Sequence, residues 1–200
     1  MKTILQLNTS LFSDEGQSSR LAQTFVQAWR LRHPGDRVIA RDFARDPVPH
    51  LTGERFRAFI TPAGERTPQQ QEHVAYSDAL IQELRAADVI VLGLPMYNFG
   101  VPSTLKAYFD HVARSGLTFR YTAEGPVGLL TGKKAYVLAA RGGNYFGTAK
   151  DTQTSYVRDF LNFLGITDIE FVYAEGLAIS PDLKQAALNQ AQHSIERLAA

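Results

Sequence analysis

Hydrophobic positions along the chain fall into two alternating rhythms. Short apolar runs predict strands at Thr3–Asn8, Arg37–Asp42, 88–94, Lys134–Ala140 and 169–174. Between them, apolar residues recur at helical spacing. They predict helices over 18–33, around 54–60, from Pro68 onward, from Pro102 to near Gly116, over 151–164, and after Ser180. Residues 89–94 are apolar without a break, as in a strand covered on both faces, whereas Arg37–Asp42 is more polar. Thr67 before Pro68 and Ser180 before Pro181 read as helix caps followed by a fixed first turn, and Gly165 as a helix stop. Residues 117–128 break the alternation; Phe119, Tyr121 and Gly125-Pro126 predict a small hairpin or lid.

Strands alternating with helices call for parallel pairing in a doubly wound three-layer α/β sandwich. Five units with a polar second strand fit the flavodoxin-like order 2-1-3-4-5, whose switch point lies between strands one and three. Two hundred residues at 44% hydrophobic content suffice for one domain, taken as 1–200. A net charge of +1 with acids and bases intermixed gives no nucleic-acid footprint. No apolar run reaches membrane-spanning length and the N-terminus lacks a signal-peptide layout, so a cytoplasmic protein without membrane partners is expected.

Absences narrow the chemistry. With no cysteine there are no disulfides, thiolate metal sites or cysteine nucleophiles, which excludes the low-molecular-weight tyrosine phosphatases that share this layout. There is no G-x-G-x-x-G after the first strand, no P-loop and no G-x-S-x-G elbow. Asn8-Thr9 replaces the acidic pair of a phospho-receiver, and the five histidines lack metal-ligand spacing, so no metal site is expected.

Three loops follow the carboxyl ends of strands, where this architecture binds ligands. The first, 10–17, leads into a helix start that offers unpaired N–H groups to an anion; Ser10 and Ser18 add hydroxyls and Gly16 admits close approach. Ser18 equally suits a plain helix cap. The second follows the apolar strand as Pro95-Met96-Tyr97-Asn98-Phe99, where a thioether, two aromatics and an amide suit a flat amphipathic heterocycle. The third, Ala140-Arg141-Gly142-Gly143-Asn144-Tyr145, has adjacent glycines that either expose N–H groups to a ligand or simply turn the chain.

The second loop resembles the flavin-ring loop of the FMN-dependent NADH:quinone oxidoreductases, also called azoreductases. The resemblance extends to Ser10 and Ser18, to Arg141-Gly142-Gly143 and to Ala174-Glu175-Gly176-Leu177, and so covers nearly the whole chain. It implies a homodimer binding FMN non-covalently, reduced by NADH or NADPH and reoxidised by quinones or azo compounds in a two-electron, ping-pong cycle. It also implies a phosphate loop at Ser10, Gly16, Gln17 and Ser18, a ring edge at Met96, Tyr97, Asn98 and Phe99, and N–H donors at Ala140, Arg141, Gly142 and Gly143 facing the flavin N1 side. Asn98 and Tyr145 are the side chains nearest to catalytic candidates, and Tyr121, Phe163 and Tyr173 are candidate walls of a substrate pocket. Gly16 and Tyr145 depart from the serine and histidine that relatives often carry there. A flavodoxin-type one-electron carrier and a flavin-free interaction module are the alternatives; near-neutral charge weighs against the carrier.

Overall fold

A computed structural model describes residues 1–199. Along the chain come β1 (Thr3–Asn8), α1 (Gln17–Arg32), β2 (Arg37–Asp42), α2 (Gly53–Ile60), α3 (Pro68–Ala86), β3 (Val89–Pro95), α4 (Ser103–Val112), β4 (Phe119–Thr122), β5 (Gly125–Gly128), β6 (Lys134–Ala140), α5 (Thr152–Leu164), β7 (Asp168–Ala174) and α6 (Pro181–Leu198). Five strands pair in parallel in the order β2-β1-β3-β6-β7. This is the flavodoxin-like order expected, because β4 and β5 form a separate antiparallel hairpin inserted after α4, within the stretch that breaks the alternation.

The two-residue period of the strands divides the core between the faces. Leu5, Ile90, Leu92 and Val137 meet α3, α4 and α5 through Leu80, Leu84, Leu105, Phe109, Val157 and Leu161. Their neighbours in sequence, Ile4, Val89, Val91 and Leu138, turn the other way against Leu21, Phe25 and Trp29 of α1 and Ile195 of α6. The central strands are thus covered twice, which is why 89–94 is apolar throughout, whereas the polar β2 is an edge strand paired only to β1.

Two boundaries differ from expectation. The first helix starts at Gln17, so Gly16 stands at the cap and Ser18 lies inside the first turn. The fourth stops at Val112 instead of near Gly116, because the Thr118 hydroxyl donates to the Val112 carbonyl (2.6 Å) and accepts from the Arg114 N–H (3.0 Å). That hydroxyl takes a carbonyl that a further helical turn would need.

One close approach aligns the site. A Cβ built on Gly93 of β3 would lie 2.9 Å from the Ser18 carbonyl oxygen, so only glycine lets the first turn of α1 rest directly on the strand. The amino end of α1 is thereby set over the carboxyl ends of β1 and β3, at the switch point.

Candidate functional site

The first loop is built around an open helix start. Gly16 offers α1 no side-chain cap, and the first turn holds no acidic residue. The hydroxyls of Ser18 and Ser19 are buried and have no hydrogen-bond partner among the described residues. An unpartnered buried polar group costs about 1–3 kcal/mol, so two at one uncapped helix end leave donors unsatisfied by the protein. The alternative of Ser18 as a helix cap is not what the structure shows. Ser10 faces this end: a Cβ on Gly16 would lie 2.1 Å from its Oγ, so no larger residue fits beside Ser10 as it stands. Behind the loop, the Ser13 hydroxyl donates to Asp42 at the end of β2, which also pairs with Arg45 at 3.5 Å.

The second loop is strained. Tyr97 and Gly100 exchange backbone hydrogen bonds (3.2 and 3.0 Å) around Asn98 and Phe99, both at positive φ (50° and 64°), the pattern of a type I′ turn. Asparagine tolerates this conformation, but phenylalanine does so at a cost of about 1–2 kcal/mol. The Tyr97 hydroxyl reaches back to the first loop, accepting from the Leu11 N–H (3.2 Å) and lying 3.3 Å from the Ser10 Oγ.

Beneath the third loop lies a buried ionic cluster. The Arg141 guanidinium, with a side chain 0% exposed, meets Asp151 (2.9 Å), Glu175 (3.0 Å), Thr154 Oγ1 (3.0 Å) and Gln153 Oε1 (3.3 Å), and stands over the Tyr173 ring. Glu175 also accepts the N–H groups of Tyr145 and Phe146, both at 3.0 Å. Burial acts to raise the Asp151 carboxyl, but hydrogen bonds from Arg141 and Thr154 outweigh it and hold the group below its ordinary value. The Arg141 N–H donates to the Ala174 carbonyl at 2.9 Å, so neither it nor the guanidinium serves as a free donor. This corrects the expectation for Arg141, which supports the loop. The N–H groups of Gly142 and Gly143 donate to no protein atom among the described residues, while their carbonyls accept from Ala178 and Gly176.

The three loops border one cleft of ≈ 190 Å³. Of the expected residues it collects Ser10, Gly16, Gln17, Ser18, Met96, Tyr97, Ala140, Arg141 and Gly142, and it adds Phe12, Pro95 and Leu177. Asn98, Phe99 and Gly143 do not line it. Asn98 is exposed at the tip of the turn, Phe99 meets the Tyr145 ring edge-to-face at 5.7 Å, and Gly143 lies under the Tyr145 phenol. The expected pocket walls are also elsewhere in the single chain. Tyr121 is 72% exposed on the hairpin, Phe163 packs under Phe119 (4.3 Å), and Tyr173 belongs to the Arg141 cluster, its hydroxyl 3.0 Å from Thr154 Oγ1. No helix among the described residues is long and apolar enough to cross a membrane.

Sequence reasoning passed over the first turn of α5. Thr152 donates to the Phe99 carbonyl, Gln153 to the carbonyls of Pro95 (2.8 Å) and Gly100 (3.1 Å), and Thr154 pairs with Asp151 and Arg141. A signal for Gln153 was present: it falls on the buried stripe of Val157, Leu161 and Leu164, where a polar residue needs partners.

The family model described as a flavodoxin-like fold matches residues 2–199. An FMN-dependent NADH:quinone oxidoreductase of Cellvibrio japonicus is 56% identical over 197 residues, 98% of each chain. One from Alcanivorax borkumensis is 54% identical over 192 residues, 96% of this chain and 97% of that one. Among solved structures, an azoreductase from Bacillus anthracis superposes with a TM-score of 0.91 at 29% identity, covering 100% of this chain and 99% of that one. An FMN-dependent NADH-azoreductase from the same species, in complex with FMN, gives 0.89 at 27% identity, with 100% of both chains covered. With the fold and three-loop cleft in place, these likenesses show that the chain belongs to the family of FMN-dependent NADH:quinone oxidoreductases on the flavodoxin-like fold.

Proposed function

We propose that this chain is an FMN-dependent NADH:quinone oxidoreductase that also reduces azo compounds. The observation that carries the assignment is the uncapped start of α1, with the partnerless, buried hydroxyl of Ser18, at a cleft that Met96, Tyr97 and Gly142 also line. These residues fit FMN. The α1 N–H groups with Ser10, Gln17 and Ser18 would hold its phosphate, and the strained loop would flank the ring through Met96 and Tyr97. The free N–H group at Gly142 would face the ring edge that gains negative charge, a preorganised electrostatic contribution. Bound there, FMN would supply a two-electron centre between the donor, NADH or NADPH, and the acceptor, in a ping-pong cycle.

The residues 1–200 are read as one flavin-binding domain, supported by the single sheet that both cores share. A ligand of this size is normally enclosed by a pocket of about 300–1,000 Å³. The cleft of one chain is smaller, and exposed Leu11, Phe12, Phe99 and Phe146 stand about the three loops. Both facts support a homodimer whose second copy completes the pocket, where Asn98, Tyr121, Phe163, Tyr173 and Tyr145 would then contribute. Dependence on a nicotinamide donor ties the activity to the cytoplasm.

The test is an anaerobic visible spectrum of the FMN-reconstituted protein before and after NADH. Loss of the flavin colour on adding NADH, and its return on adding a quinone, is expected. Retained flavin that NADH does not bleach would support a carrier, and failure to retain flavin would overturn the site assignment.

A further inference from the structure

Besides the Tyr97 hydroxyl's contact with the first loop and the Met96 N–H bond to Ala140, the strained 95–100 loop is held from outside by one helix end. Its backbone places Asn98 and Phe99 at positive φ, a conformation that relaxes unless surrounding contacts over-determine it. The carbonyls of Pro95, Phe99 and Gly100 all accept hydrogen bonds from α5, two of them from the Gln153 amide and one from the Thr152 hydroxyl. Gln153 is 0% exposed, so water does not substitute for these bonds. Its remaining polar atom, Oε1, accepts from Arg141 Nε at 3.3 Å. The side chain is thereby oriented: oxygen toward the third loop, nitrogen toward the two ends of the second.

We infer that Gln153 is the positioning residue of the cofactor cleft, fixing the second loop in its strained form and in register with the third. It is not a cleft-lining residue, so its effect passes through the backbone of 95–100. The reasoning is geometric. A single planar amide spans the start and end of the turn, and only a group that donates twice and accepts once satisfies all three neighbours. Thr152, on the exposed side of the same helical turn, fastens the middle of the loop and has the smaller effect.

The inference rests on FMN being the ligand of the cleft, and the experiment separates the two. Q153M keeps the length of the side chain and removes its polar atoms. Titration of the apoprotein with FMN, followed by quenching of flavin fluorescence, is expected to show affinity lowered about tenfold, the loss of ring-loop order expressed in binding. Inorganic phosphate, which needs only the α1 end, should compete against FMN with an unchanged inhibition constant. Hydrogen exchange of the ligand-free protein should accelerate at the Tyr97 and Gly100 amides and stay unchanged in the core strands. FMN affinity within twofold of the wild type, or unchanged exchange at both amides, would overturn the inference. If the wild type itself bound no FMN, the functional reading would fail, and the exchange of Tyr97 and Gly100 alone would decide the role of Gln153. Should Q153M not fold, T152V takes its place with an expected affinity loss of about two- to threefold; no loss there would count against the clamp.

Discussion

The starts of α1 and α3 are opposite solutions to the same problem. Each helix begins with N–H groups that lack intrahelical partners. At α3, Thr67 and Gln70 form a reciprocal capping box and Pro68 removes one donor altogether. The starts of α2, α5 and α6 are likewise closed by Thr52, Asp151 and Ser180. At α1 the cap is Gly16, the nearby hydroxyls are unpartnered, and the opening lies over the carboxyl edge of the sheet. Helix α4, after Pro102, also lacks a side-chain cap, so an open start alone does not define a site. The first turn of α4 also holds a buried, unpartnered hydroxyl at Thr104, so what distinguishes α1 is that its open start meets two further loops at one cleft.

The contrast can be broken most severely at the closed end that the site depends on. Arg141→Leu removes the cation that holds the α5 cap Asp151 together with Glu175, leaving two largely buried carboxylates without a counter-ion. Denaturant unfolding should show a loss of about 3–5 kcal/mol. Ser18→Asp would close the α1 start with an internal anion. FMN affinity should fall on the order of 100-fold through repulsion of the phosphate, while the melting temperature holds or rises. An unaffected FMN titration would remove α1 from the site.

Milder changes sharpen the comparison by separating binding from stability. Ser18→Ala deletes an unpartnered hydroxyl; FMN binding should weaken about five- to tenfold while the FMN-free protein gains about 1–3 kcal/mol in unfolding free energy. Thr67→Ala should do the reverse, costing about 1 kcal/mol in unfolding free energy with the FMN dissociation constant unmoved. The smallest effect is that of pH. Because the folded-state pKa of Asp151 is depressed, its stabilising contribution is complete above its ordinary value of 3.8 and is lost as pH falls through the lower folded value. Stability measured from about pH 7 to about pH 5 should therefore show no loss from this group, with the decline confined to stronger acid.

Legibility differed sharply between the sheet and the loops. Four strands of the parallel sheet were visible as apolar runs, since burial on one or both faces writes a two-residue or continuous pattern directly into the chain, and β2 as a shorter, more polar one. The caps at Thr67 and Ser180 were visible for a similar reason: they satisfy partners within a few residues. Nine expected cofactor residues meet in the cleft because they follow successive strand ends. Asn98 was expected to face the ligand but stands exposed at the tip of a turn whose φ values no composition signals. Arg141 stood in a turn that read as a donor loop, yet its partners lie 10 to 34 residues away. No local pattern connects such groups.

What the sequence by itself determined is the alternation of strands and helices, their polarity and hence their order, and the three loops that would gather at the switch point. These follow from local periodicity and from the chirality of parallel crossovers, both of which act over short spans of chain. Only the tertiary structure decided that the α1 start remains open, that Gln153 grips the second loop, and that Arg141 is buried as a brace. Those outcomes depend on which polar atoms find partners across the fold, and a hydrogen bond between distant residues leaves no periodic trace in the chain that makes it.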